Sequence, residues 1–171
     1  VIIFIMANTF WLINLSSENF KISQERSFDI IGFSKKDNKL TNKIDINDNV
    51  IFYVSELRSF VGLARVDSKK YYETKKIWNV GNDDEILPYR VKLSSPKILS
   101  ERKFVSAYEV SPSLSYIKKW APEDWYLAFI TPVHVISQND YSIISNDIEN
   151  NLDKSKLVKK KGKKSKKKRK V

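Results

Sequence analysis

The chain has 171 residues, 42% hydrophobic and 12% aromatic, enough to enclose one core of its own with extensions to spare. It contains no Cys, which excludes a disulfide framework, a thiolate nucleophile and a Cys-bearing zinc finger, and suits a reducing compartment. The formal net charge of +11 is uneven: residues 154–170 hold 12 Lys/Arg and no acid, and removing these from the chain's 31 basic residues leaves 19 against 20 acids over residues 1–153. The body is therefore close to neutral, and attraction to an anionic polymer resides in the tail.

Residues 1–6 (VIIFIM) form an apolar run with no preceding cation, too short for a signal peptide or a membrane span. Met6 is read as the initiator, with a β-like extension as the alternative. Residues 10–15 (FWLINL) read as a buried strand. Ser16 and Ser17 offer N-caps for a short helix to about Ser23. Residues 28–33 are a second extended piece, broken by Gly32. Ser34 is placed as the cap of a helix to about Lys43, with Leu40 facing inward, and residues 45–49 as a turn.

Residues 50–55 (VIFYVS) give the strongest strand pattern, β-branched and aromatic throughout, as expected for burial on both faces. Residues 60–66 follow as its hairpin partner, with Gly62 at a bulge or close backbone approach, and Tyr71 and Tyr72 extend that strand. Residues 79–85 read as a polar loop and 87–93 as a strand. Pro112 suits the first turn of a helix holding Leu114 and Ile117. Residues 126–130 and 133–136 read as two short strands, and Ser137 as the cap of a last short helix. Apolar patterning ends near Ile148. Short strands with two or three small helices predict an α+β fold, a closed or nearly closed barrel of about five to seven strands with helices at its openings. The expected organisation is an extension at 1–8, a domain at 9–147 and a disordered Lys-rich tail at 148–171.

Conventional catalytic constellations are missing. His134 is the single His, too few for a triad or a His-based metal site, and reads as structural or surface. Four scattered Gly make no phosphate-cradling loop. Asp83, Asp84 and Glu85 form an acidic cluster of the kind usually solvated in a polar loop. No cofactor or metal is implied, and the sequence points away from an enzyme.

An ordered set of segments is similar to the EVE domain: WLINLSSENF at 11–20, IIGFS at 30–34, NDNVIFYV at 47–54, FVGLA at 60–64, IW at 77–78, LPYRV at 87–91 and WAPEDWYLAF at 120–129. The match runs in register from about Thr9 to Ile144. No block is specific alone; their order is. The resemblance implies a PUA-like barrel related to YTH and ASCH domains, whose members take an RNA or DNA base, often a modified one, into an aromatic-walled pocket. Carried onto this chain, the implied pocket positions are Asn14, Ser16, Ser17, Asn19, Gly32, Phe33, Tyr53, Ser55, Trp78, Tyr89 and Arg90. This chain departs from the family where a Trp often stands near Ile30, and where an Arg often follows the segment matching 127–130.

The residues themselves leave two roles open at several of these positions. Trp78 precedes a polar loop and could be a stacking wall or a core plug. Ser16 and Ser17 could read a base edge or cap a helix. Arg90 could meet a phosphate, stack on a base or pair with the acids at 83–85. Trp11, Trp120 and Trp125 read as structural, and Phe33 as pocket mouth or core. In the tail, Lys159, Lys160, Lys161, Lys163, Lys164, Lys166, Lys167, Lys168, Arg169 and Lys170 are expected to bind phosphates non-specifically, or else to act as a solubilising appendage. The expected partner is nucleic acid, RNA or DNA, without a membrane. The expected setting is a cytoplasmic monomer, nuclear in a eukaryotic host.

Overall fold

A computed structural model describes residues 7–81 and 85–167, with the side chains of 153–167 left aside. Residues 1–6, and with them the reading of Met6, lie outside the described residues, as do Asp83 and Asp84 of the acidic cluster. The strands are β1 (Phe10–Leu15), β2 (Ile30–Phe33), β3 (Asn49–Val54), β4 (Ser59–Val66), β5 (Tyr71–Tyr72), β6 (Tyr89–Ile98), β7 (Val105–Ser106) and β8 (Val133–Ile136). The helices are α1 (Ser17–Glu25), α2 (Asn38–Thr41), α3 (Ala107–Val110) and α4 (Gln138–Lys167). The sheet is mixed and curled into a half-barrel, in the order β2-β6-β4-β3-β1-β8, with β5 on β6 and β7 on β4. This is the expected α+β architecture, with eight strands, two of them only two residues long.

β1 and β3 run parallel, so the chain must cross over between them; α1, β2 and α2 form that crossover. β3 and β4 form the expected antiparallel hairpin, with a register shift between Phe52 and Tyr53. Gly62 sits opposite Phe52, where β6 comes very close: a Cβ there would lie 2.5 Å from Ile98 Cδ1 and 2.8 Å from the Lys97 carbonyl. Alternation along the central strands feeds two cores. Trp11, Ile13, Phe52 and Val54 face α1 and β2, joining Phe20, Phe28 and Phe33. Leu12, Ile51 and Tyr53 face the other side, joining Phe60, Trp125, Phe129, Ile144 and Ile148. Central strands buried on both faces explain why their sequence shows no polar alternation.

A buried carboxylate fixes where the chain enters the sheet. Asp48, 3% exposed, accepts hydrogen bonds from Trp11 Nε1, Thr9 N and Asp45 N, each at 2.9 Å. Asp140, equally enclosed, receives Ser115 N at 2.9 Å and Tyr116 N at 2.8 Å, tying a 3-10 turn to α4. Ser137 caps α4 as expected, its Oγ accepting from Asp140 N.

Several expectations need correction. Residues 126–130 are not a strand; they belong to a 3-10 helix, Pro122–Phe129, started by Pro122 and two acids that suit a helix N-terminus. Tyr71–Tyr72 does not extend β4 but pairs with β6, because the chain turns at 67–70, where Lys70 Nζ is held by Asn38 Oδ1 and Asn42 Oδ1. The helix expected from Ser34 to Lys43 shortens to one turn, with Thr41 buried and Leu40 exposed. The helix expected at Pro112 is a pair of 3-10 turns, Ser111–Ser113 and Ser115–Ile117. The last helix is long, not short. Ile148 is fully buried and Leu152 packs on the same core, so the folded domain reaches past 147. Its backbone is helical to Lys167, which suits a run of helix formers without Pro.

Replacing Asp48 with Ala leaves the buried Trp11 N–H and two backbone N–H groups without an acceptor. The expected loss is about 3 kcal/mol of unfolding free energy, read as a lower denaturant midpoint with an unchanged slope. A loss below about 0.5 kcal/mol would show that water takes over the three donors.

Candidate nucleic-acid interface

The end of the half-barrel where β1 and β2 stop opens into a cavity of about 880 Å³. β1 contributes Asn14, the N-cap of α1 contributes Ser16 and α1 itself Asn19, β2 contributes Gly32 and Phe33, and the turn after β3 contributes Ser55. Trp78, Leu87, Thr131 and Pro132 complete much of the wall. Seven positions implied by the resemblance therefore converge: Asn14, Ser16, Asn19, Gly32, Phe33, Ser55 and Trp78.

Trp78 is held from three directions. Its Nε1 donates to Ser23 Oγ at 3.1 Å. The next residue is locked to α1 by a reciprocal amide pair, Asn19 Nδ2 to Asn79 O at 2.7 Å and Asn79 N to Asn19 Oδ1 at 2.9 Å. Asn19 and Ser23 are four residues apart, so they share one face of α1. The far edge of the indole rests on Gly32, where a Cβ would come within 2.4 Å of Trp78 Cζ3. Behind the ring stands the Arg90 guanidinium, 5.5 Å from its centroid. Only 2% of Trp78 is exposed, so it serves as wall and core plug at once.

Polar groups at the wall differ in what they leave free. Ser16 Oγ is occupied as the cap of α1, accepting from Asn19 N at 3.1 Å. Ser34 Oγ donates to Asp37 Oδ2 at 2.8 Å. Asn14 donates through Nδ2 to the Phe129 and Ile130 carbonyls at 2.8 and 3.3 Å, while its Oδ1 has no hydrogen-bond partner. An unpaired acceptor beside a cavity is the kind of exception that calls for a functional explanation. Three carboxylates, Glu18, Asp37 and Glu85, and two lysines, Lys36 and Lys76, stand in the lining, a balance suited to a neutral ring more than to a phosphate.

Four implied positions do not line this cavity. Ser17 lies at a smaller groove with Phe20, Leu57 and Phe104. Tyr53 points to the opposite core, against Phe60 and Phe129 at ring distances of 5.2 and 5.1 Å, and burial pushes its hydroxyl pKa up to about 12. Tyr89 stacks edge-on with Tyr72 at 5.4 Å, under Lys70. Arg90 is fully buried, its Nη1 on Glu73 Oε2 at 2.6 Å, its Nε on the Leu87 carbonyl at 3.0 Å and its Nη2 on the Lys75 carbonyl. With those acceptors filled, its place is behind Trp78. The tail cations fall outside this account: the side chains of 153–167 and all of Lys168, Arg169 and Lys170 lie outside the described residues.

Sequence reasoning missed Ser23, Asp48 and Asn79. Ser23 sits four residues after Asn19 on the helix, a spacing that could have pointed to it.

With this geometry in place, comparison with known proteins is informative. Residues 9–119 match the family described as the EVE domain. The chain belongs to the EVE domain family. The UPF0310 protein PYRAB08750 of Pyrococcus abyssi (strain GE5 / Orsay) is 28% identical over 149 residues, covering 81% of this chain and 98% of that one. Among solved structures, the Mmi1 YTH domain in a complex with RNA superposes with a TM-score of 0.57 at 14% identity, over 86% of this chain and 82% of that one. The Pho92 YTH domain in complex with m6A gives 0.57 at 17% identity, over 81% and 82%. A hypothetical protein from Leishmania major gives 0.57 at 16%, over 84% and 96%. At these identities the likeness establishes a shared fold. Among the described residues of this EVE chain, no helix is long and apolar enough to cross a membrane.

His134 lies beside the cavity wall, on β8. Its Nε2 lies 2.7 Å from the Thr131 carbonyl, an acceptor for its N–H, and its Nδ1 lies 2.7 Å from Tyr116 OH. Burial holds its pKa below the ordinary 6.5. The unfolded chain therefore binds this proton first as pH falls, and stability drops from about pH 7 downward through 6.5. Urea midpoints across pH 5 to 7 should decline toward acid in the natural protein, and less steeply in His134→Gln. Equal slopes in the two would assign the decline elsewhere.

Proposed function

We propose that this EVE chain is a nucleic-acid-binding module that admits one unpaired or modified base of RNA or DNA into the cavity between Asn14, Phe33 and Trp78. The observation that carries the proposal is the convergence, in one opening, of the aromatic residues Phe33 and Trp78 with the polar residues Asn14, Ser16, Asn19 and Ser55. About 880 Å³ lies within the 300–1,000 Å³ usual for small-ligand sites. YTH domains of the same fold carry RNA in one solved complex and m6A in another, which supports the same use of the opening here.

The near-neutral lining and the Lys-rich tail divide the work. The cavity takes the base, and the tail adds phosphate affinity by counterion release, with steep salt dependence. The reading is of a binding module, and it is supported by the YTH domains of the same fold that are in complex with RNA and with m6A.

A titration of short single strands at high salt, where phosphate contacts are screened, separates the two contributions. Strands with one modified base, such as an N-methylated adenine, and their unmodified counterparts are compared on the full chain. The expected result is residual affinity at high salt that differs between bases and falls at least tenfold in Asn14→Ala. Equal, vanishing affinity for every strand would leave the tail as the sole contact and refute the cavity reading.

A further inference from the structure

A second aromatic group lies just beyond the cavity rim and takes no part in the base site described above. Arg58 closes the turn between β3 and β4, with its backbone N bonded to Ser55 O at 3.1 Å, so it sits one turn from Ser55 in the cavity lining, under ~7 Å between Cα atoms. Its guanidinium lies over Tyr126, 4.3 Å from the ring centroid, and faces Tyr108 at 5.6 Å, where Nη1 also donates to the Tyr108 hydroxyl. Tyr108 is 57% exposed and is braced from below by Trp125, edge-on at 4.9 Å. The Arg58 carbonyl accepts from Ala107 N at 2.9 Å, which fixes α3 and its Tyr108 against the turn.

Tyr108 faces solvent, while Arg58 and Tyr126 are half-buried. Arg58 has no carboxylate partner among the described residues, whereas the neighbouring Glu56 is engaged by Ser17 N at 3.0 Å. A cation held flat on one aromatic ring, beside a second exposed ring, is a preorganised stacking and phosphate-contacting surface. Both of its parts are anchored at the cavity. The turn begins at Ser55, and the 3-10 helix that carries Tyr126 ends at the Phe129 and Ile130 carbonyls gripped by Asn14.

We propose that Tyr108, Arg58 and Tyr126 form a second nucleotide site, which takes the residue adjacent in the strand to the base held in the cavity. Tyr108 stacks on the neighbouring base and Arg58 meets its phosphate. The inference rests on the cavity reading and extends it from a nucleoside pocket to a two-nucleotide footprint around one end of the sheet.

The test compares a free nucleoside, which reaches only the cavity, with a short single strand carrying the same base, on the full chain. Tyr108→Ala is the first variant, because its exposed ring can be removed with little effect on folding, and Arg58→Gln is the second. The expected result is an oligonucleotide affinity reduced about 5- to 150-fold in Tyr108→Ala, the range for one stacked base, with nucleoside affinity unchanged. Arg58→Gln should flatten the salt dependence as well as weaken strand binding. Oligonucleotide affinity within twofold of the natural protein in both variants, while Asn14→Ala still weakens it, would overturn the second site and leave the cavity standing. Binding of neither ligand by the natural protein would overturn both. Unchanged strand affinity together with a self-associated form lost in Tyr108→Ala would assign the surface to protein contact instead.

Discussion

The indole of Trp78 lies where a side chain on Gly32 would otherwise be, and much of the cavity follows from that contact. Because β2 carries no Cβ there, the ring lies flat across the strand and its polar end reaches Ser23 on α1. Because Asn79 is paired to Asn19, the residue that follows Trp78 is fastened to α1. Arg90 stands opposite Gly32 in the β2–β6 register, so its guanidinium fills the space behind the ring and bonds outward to Glu73. Each of these contacts is short and mutually dependent, and together they keep one aromatic wall in place with few alternatives.

Charge is organised on a larger scale. The folded body is near neutral, the cavity lining mixes both signs, and the excess cation is concentrated after residue 153. In the proposed reading, a phosphate chain is drawn to the tail, and discrimination comes from shape and from a few hydrogen-bonding groups. That separation gives the two contributions different responses to salt. The half-buried Arg58 is the described cation best placed to connect them, since it stands beside the cavity rim and belongs to neither the tail nor the core.

Much of this fold was legible in the sequence. β1, β3, β4 and β8 carry dense β-branched and aromatic patterns that no helix would tolerate, and their expected bounds fall within a residue or so of the observed ones. The segment at 126–130 misled because a 3-10 helix buried on one side has the same apolar density as a strand; only Pro122 with Glu123 and Asp124 signalled a helical start. Order and resemblance singled out Asn14, Gly32 and Trp78, which line one cavity. Tyr53, Tyr89 and Arg90 were not placed, because adjacent strand residues point to opposite faces and a motif does not say which face holds the opening. Asp48 was hidden for another reason: an Asp in a turn reads as solvated, and only the fold brings Trp11 onto it.

The cavity account is tested most directly by two-dimensional ¹⁵N amide NMR of the natural protein with uncharged nucleosides, which give the Lys-rich tail no phosphate to hold. The account predicts shifts gathered on Asn14, Ser16, Gly32, Phe33 and the Trp78 indole N–H, graded by the base supplied. Shifts scattered over the surface, or none at saturating nucleoside, would mean that the opening holds no base.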